Sequence, residues 1–106
     1  MAMIDHRALR MLLAVCRANS ISGGARLLNI SQPSVSSAIA QLGQAVGALL
    51  FERSRTGISL TAEGERLWRR AGTIDGVLRE AEAEMRLARH GVTGPLRVGG
   101  TPGALV

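Results

Sequence analysis

The sequence predicts a mainly α-helical chain: short helices, a small β-hairpin and one long closing helix. Three observations predict it. Apolar residues recur at helical spacing in successive stretches before Gly47. Two short segments flank the turn Ser54-Arg55-Thr56-Gly57, the pattern of a hairpin. From Leu67 to Ala88 apolar residues then alternate spacings of four and three, the period of a coiled-coil seam.

The first helix is expected from residue 5 to about 18. Leu9, Leu12, Leu13 and Cys16 form its apolar stripe, Met11 and Val15 widen it, and Asp5 is a suitable N-cap. Arg7, Arg10 and Arg17 lie off the stripe, and Asn19-Ser20 breaks the pattern. A second, short helix is expected over about Ser22 to Leu28, with Ser22 as cap and Ala25, Leu27 and Leu28 on its buried side. Gly23 and Gly24 each cost about 1 kcal/mol against Ala in a helix interior, which makes sense if another helix packs closely there. Asn29-Ile30 is a turn, with Ile30 placed to plug the angle between helices.

The third helix opens at Ser31-Gln32-Pro33-Ser34-Val35-Ser36 and runs to about Val46. Ser31 can cap it, and Pro33 is tolerated because early helical amides have no intrahelical partner to lose. Val35, Ile39, Leu42 and Val46 mark one face. Gln32, Ser34, Ser37, Ala38 and Gln41 mark the other, which carries no charge. Gln and Ser offer donors and acceptors without a preference for phosphate, so such a face suits the edges of base pairs. A solvated face on an ordinary amphipathic helix is the alternative.

Gly47 stops this helix. Leu49-Leu50-Phe51-Glu52-Arg53 and Ile58-Ser59-Leu60 are the arms of the hairpin, with Arg53 and Arg55 on or beside its tip. Two short helices joined by a tight turn and flanked by a hairpin form a winged helix-turn-helix pattern. Wing arginines can reach phosphate or the minor groove, or can be merely solvated turn charges. Thr61 then caps a helix running to about Arg89 or His90 before Gly91, with Glu63 and Glu65 near its positive end. Leu67, Ala71, Ile74, Leu78, Ala81, Met85 and Ala88 are its seam. At about 1.5 Å per residue the helix is too long to bury that seam on so small a domain, so a partner helix is expected. Gly72 and Gly76 permit close approach of that partner or mark a soft spot. The same helix attached to a membrane surface is disfavoured by Glu80, Glu82 and Glu84.

The organisation that follows is a winged helix-turn-helix over residues 1–61, a linker and dimerisation helix over 62–91, and a remainder over 92–106. In that remainder Val92-Thr93-Gly94-Pro95 is a hinge and Leu96-Arg97-Val98 a short strand, the expected start of a further, effector-binding domain.

Charge points the same way. Net charge is +5, and Lys is absent, so every basic side chain is Arg. The first sixty residues hold six Arg against Asp5 and Glu52, and the rest hold seven Arg against six acids. A polyanionic partner for the N-terminal half is implied, although charge alone does not separate nucleic acid from a membrane surface. Trp68 and Phe51 are the only aromatics, which disfavours a binder that stacks single-stranded bases. Cys16, the one cysteine, reads as a small core residue. His6, at an exposed helix start, and His90 are far apart and show neither a nearby nucleophile nor metal-ligand spacing, so an enzyme has little support. A leader and a membrane-spanning apolar run are both missing from the sequence, and a cytoplasmic chain is expected.

Taken in order, Ser20-Ile21-Ser22, Ala25, Leu27-Leu28, Ile30-Ser31-Gln32-Pro33-Ser34-Val35-Ser36, Ile39, Leu42, Gly47, Leu50-Phe51-Glu52-Arg53 and Leu60-Thr61-Ala62-Glu63-Gly64 resemble the N-terminal pattern of the LysR-type bacterial transcriptional regulators. The resemblance covers about residues 4 to 90 without gaps. It implies a homodimer built on antiparallel linker helices, a tetramer at full length, and binding to interrupted palindromes in double-stranded DNA. It implies no cofactor in this chain and a small-molecule co-inducer for the full-length protein. Gln32, Pro33 and Ser34 would meet base edges, Ser36 and Ser37 phosphate or a base, and Arg53 and Arg55 would serve the wing. Some positions depart from the pattern. Gly24 replaces a common Ala, which would loosen helix packing, and Gly43 replaces a usual Glu. Ser37 and Ala38 stand where a cation and a Gln are common, which shifts the expected affinity onto the wing and other arginines.

Overall fold

A computed structural model describes residues 4–89 of the chain. In order they form α1 (His6–Ala18), α2 (Ile21–Leu28), α3 (Gln32–Val46), β1 (Phe51–Ser54), β2 (Gly57–Leu60) and α4 (Ala62–Arg89). His90, Gly91 and the expected hinge and strand over 92–106 lie outside the described residues. Among those described, no helix is long and apolar enough to cross a membrane. The chain divides into two units, with residues up to Asp75 in the first and those from Gly76 in the second.

In the first unit each short helix is capped by a side chain and closed by a left-handed residue. Asp5 Oδ1 accepts the Ala8 N–H at 2.8 Å, and Asn19 ends α1 at φ 59°. The cap of α2 is Ser20, whose Oγ accepts the Gly23 N–H at 2.9 Å. This corrects the expected cap at Ser22: the turn at Asn19 is so tight that α2 begins at once, and Ser22 lies inside it. Asn29 closes α2 at φ 58°. Ser31 Oγ then accepts the Ser34 N–H at 3.2 Å, and Gly47 closes α3 at φ 72°.

The core joins Leu9, Met11, Leu12 and Val15 of α1, Ala25 of α2, Val35, Ile39 and Leu42 of α3, Leu50, and Ala71 of α4. Cys16 packs half-buried against it, as do Leu28 and Ile30. Met11 and Val15 are buried and Leu13 and Cys16 only half-buried, so the stripe of α1 centres on the residues expected at its margin. Leu27 and Val46 were expected inside and are exposed at 54% and 38%. Leu27 points off the face that α2 turns to α1, and Val46 stands where the buried face of α3 runs out.

Gly23 and Gly24 supply the buried side of α2 instead. A Cβ on Gly24 would meet the Val15 nitrogen and Cα at 2.9 Å. Far from loosening the packing, glycine here lets α2 lie backbone to backbone on α1.

The wing pairs antiparallel in the register Phe51↔Leu60, Glu52↔Ser59, Arg53↔Ile58, Ser54↔Gly57, leaving Arg55-Thr56 as its tip. Leu49 falls before the strand and is exposed, while Leu50 turns into the core. Thr61 ties hairpin to helix. Its N–H donates to the Leu50 carbonyl at 3.0 Å and its hydroxyl to the Leu49 carbonyl at 2.6 Å, and Oγ1 accepts the Gly64 N–H at 3.0 Å. Early in α4, Leu67 packs against the core and Ala71 is fully buried. These two seam positions face their own domain, Ala71 inside the core and Leu67 half-buried beside it. His6, expected as an exposed helix start, has its Nε2 3.2 Å from Asp75 Oδ1 and so tethers α1 to α4.

The described part of the second unit is the remainder of α4, residues 76–89. Leu78 and Ala83 are half-buried, whereas Ala81, Met85 and Ala88 are exposed.

Two tests follow from this packing. Gly24→Ala is expected to lower the unfolding free energy by about 1–3 kcal/mol through overpacking, whereas Gly72→Ala, where a Cβ meets nothing within 4 Å, should raise it by about 0.5–1 kcal/mol. Urea melts of the two variants check this. Burial pushes the Cys16 thiol up to about 11 from an ordinary 9.0. At pH 7 its labelling by a thiol reagent should be on the order of 100-fold slower in the folded chain than in urea, and should accelerate with pH up to that value.

Candidate nucleic-acid interface

The three core anchors of α3 fix which way its other residues point. Val35, Ile39 and Leu42 are 0%, 9% and 2% exposed. Four- and three-residue spacing puts them on one side of the helix, so Gln32, Pro33, Ser34, Ser36, Ser37, Gln41 and Gln44 fall outside it, and all are exposed. The expected base-reading residues are thus all exposed along one helix. No residue from Gln32 to Val46 is ionisable.

Two of the hydroxyls are already oriented. Ser34 Oγ lies 2.7 Å from Ser31 Oγ, within the cap. Gln41 Nε2 donates to Ser37 Oγ at 3.3 Å, which steadies an amide one turn along the same surface. Gln41 belongs to the uncharged face but stands outside the set assigned to DNA; the i, i+4 spacing from Ser37 is the signal that joins them.

Beside this surface runs a groove between the start of α1 and α3, about 470 Å³ in volume, with Arg7 and Met11 on one wall and Ser34, Ser37 and Gln41 on the other. Sequence reasoning left Arg7 merely off the stripe of α1. The available signal was Met11, four residues on, which shares its side of the helix and is buried.

Arg53 and Arg55 are both exposed on the wing, Arg53 across from Ile58 and Arg55 in the tip. The tip is attached to the turn between α1 and α2, where Asn19 Nδ2 donates to the Thr56 carbonyl at 3.0 Å. The arginines therefore form a second surface, presented by a different element from the glutamine and serine groups. Among the described residues no group of three or more His, Cys, Asp or Glu could hold a metal ion.

Three packed helices, an outward polar third helix and an arginine-bearing hairpin define a winged helix-turn-helix module. The family model described as "Bacterial regulatory helix-turn-helix protein, lysR family" matches residues 6–65, more than half of the chain, and the protein belongs to that family. It is 37% identical over 95 residues to the HTH-type transcriptional regulator ClcR of Pseudomonas putida, a match covering 90% of this chain and 32% of that relative. Among solved structures it is similar to the DNA-binding domain of CbnR in complex with DNA, with a TM-score of 0.72 and 30% identity over 81% of this chain and 99% of that one. The BenM DNA-binding domain on a catB site is also similar, with a TM-score of 0.70 and 29% identity over 80% of this chain and 96% of that one. The chain spans about a third, 32%, of the length of the curated relatives ClcR and YofA.

Proposed function

We propose that this chain is the DNA-binding and dimerising part of a LysR-type transcription regulator with no enzymatic activity of its own, working in the cytoplasm on double-stranded DNA. The observation that carries the reading is the uncharged polar face of α3, held outward by Val35, Ile39 and Leu42. Gln32, with a donor and an acceptor on one amide, suits the major-groove edge of adenine, while Ser34, Ser36 and Ser37 offer single hydroxyls to bases or phosphate. Pro33 presents an apolar ring in the first turn. Arg53 and Arg55 on the wing supply charge to the phosphate backbone, which α3 cannot do.

Pairing of two chains would use α4 beyond the part packed on its own core. Ile74, Val77 and Met85 are exposed at 43%, 59% and 62% and lie with Leu78, Ala81 and Ala88 on one side of the helix. Val77 widens the expected seam beyond its first turns, where Leu67 and Ala71 also pack on their own domain. A two-fold pair of such helices would hold two α3 surfaces for an interrupted palindrome. At full length we expect a tetramer and a small-molecule co-inducer bound by a separate domain.

Gln32→Ala should lower discrimination between a selected operator and random duplex by about 1–3 kcal/mol. Gel-shift titrations that lose equally on both duplexes would assign Gln32 to the backbone instead. Leu78→Asp should turn dimers into monomers with weak operator binding. An unchanged dimer in sedimentation would remove α4 from the pairing surface.

A further inference from the structure

The wing is a pair of four-residue strands, and a lone two-stranded hairpin is marginal in water. Its root is fixed by Thr61, but its tip needs another support. Asn19 provides one from 37 residues away, through the 3.0 Å bond of its Nδ2–H to the Thr56 carbonyl. The contact is close on the backbone side too. Gly57 sits at φ 134°, and a Cβ there would fall 2.7 Å from Asn19 Nδ2 and 2.9 Å from the Asn19 carbonyl oxygen. Thr56 and Gly57 are thus seated on the α1–α2 turn, with Arg55 the next residue back along the tip.

We propose that Asn19 is a positioning residue for the wing: its side-chain amide fixes the direction in which Arg55, and Arg53 in the same hairpin, present their guanidinium groups to duplex phosphate. The proposal rests on the reading of the wing as a DNA contact. Two demands meet at this position. The backbone must be left-handed to close α1, at φ 59°, which Gly and Asn adopt most readily. The tip requires a side-chain donor, which Gly lacks and an ionised Asp, an acceptor only, cannot supply. Asn meets both.

Asn19→Gly keeps the left-handed turn and removes the donor, while Asn19→Asp keeps the shape and sets an acceptor against the Thr56 carbonyl. The 106-residue chain, both variants, Arg55→Ala and the double variant Asn19→Gly/Arg55→Ala would be titrated with a duplex of random sequence over a range of salt, with folding followed by thermal melts. Arg55→Ala should weaken binding several-fold at low salt and reduce the slope of log K against log salt by about 0.9, one phosphate contact. Both Asn19 variants should lose most of the same affinity and slope, and the double variant should bind within about twofold of Arg55→Ala alone. Asn19 variants that bind like the parent while Arg55→Ala does not, or losses that multiply in the double variant, would overturn the proposal. So would failure of both Asn19 variants to fold, since Asn19 would then serve the helices themselves. An Arg55→Ala chain that binds like the parent would overturn the wing reading and take the positioning role with it.

Discussion

The attachment of α3 by Val35, Ile39 and Leu42 is the constraint on which the rest depends. Burying those three side chains removes the freedom of the helix to roll about its axis, and rolling is what would scramble a recognition surface. Because the anchors sit within one side of the helix, the outward residues need no contacts of their own to be aligned. They can be chosen for their hydrogen-bonding groups alone. The division of labour is then sharp: α3 offers dipoles without charge, while Arg7, Arg53 and Arg55 are carried by other elements. Attraction to a polyanion and discrimination among its sequences reside in separable groups.

The seat for α3 is itself made by an unusually close contact. Gly24 brings the backbone of α2 onto Val15, and Asn19 and Asn29 turn the chain sharply at each end of α2. Three residues that accept conformations or distances refused to most side chains therefore set the angle of the helix-turn-helix. None of them carries chemistry at the surface of α3. They act through geometry, and a substitution at any of them would be felt there without touching it.

Much of this was legible in the residues. Each helix was foreshadowed by the spacing of its apolar positions, and Asp5, Ser31 and Thr61 announced their capping roles because a short oxygen-bearing side chain before an apolar run has few other uses. The outward set on α3 followed from the same spacing except at Ala38, which packs half-buried against the core. What escaped reading were matters of contact between distant segments. Ser20 and Ser22 are equally good caps on paper, and only the tightness of the turn at Asn19 selects the first. Gly24 looked like a loosened alanine, because a sequence does not report how near Val15 lies. Leu67 and Ala71 fit the seam period perfectly, and periodicity cannot say that the first turns of α4 spend their apolar face on their own domain. Asn19 and the His6–Asp75 tether belong to the same class, polar side chains whose partners lie across the fold, and Arg7 meets the α3 side only across a groove.

Thr61 carries one more consequence. A single residue gives its hydroxyl and its amide to the carbonyls just before β1 while holding the first turn of α4. The rod and the hairpin are therefore geared to each other at a point outside the apolar interior. A shift of the first turn of α4 would thus reach the carbonyls that lead into the arginine-bearing hairpin directly, through Thr61, as well as through Leu67 and Ala71 in the core.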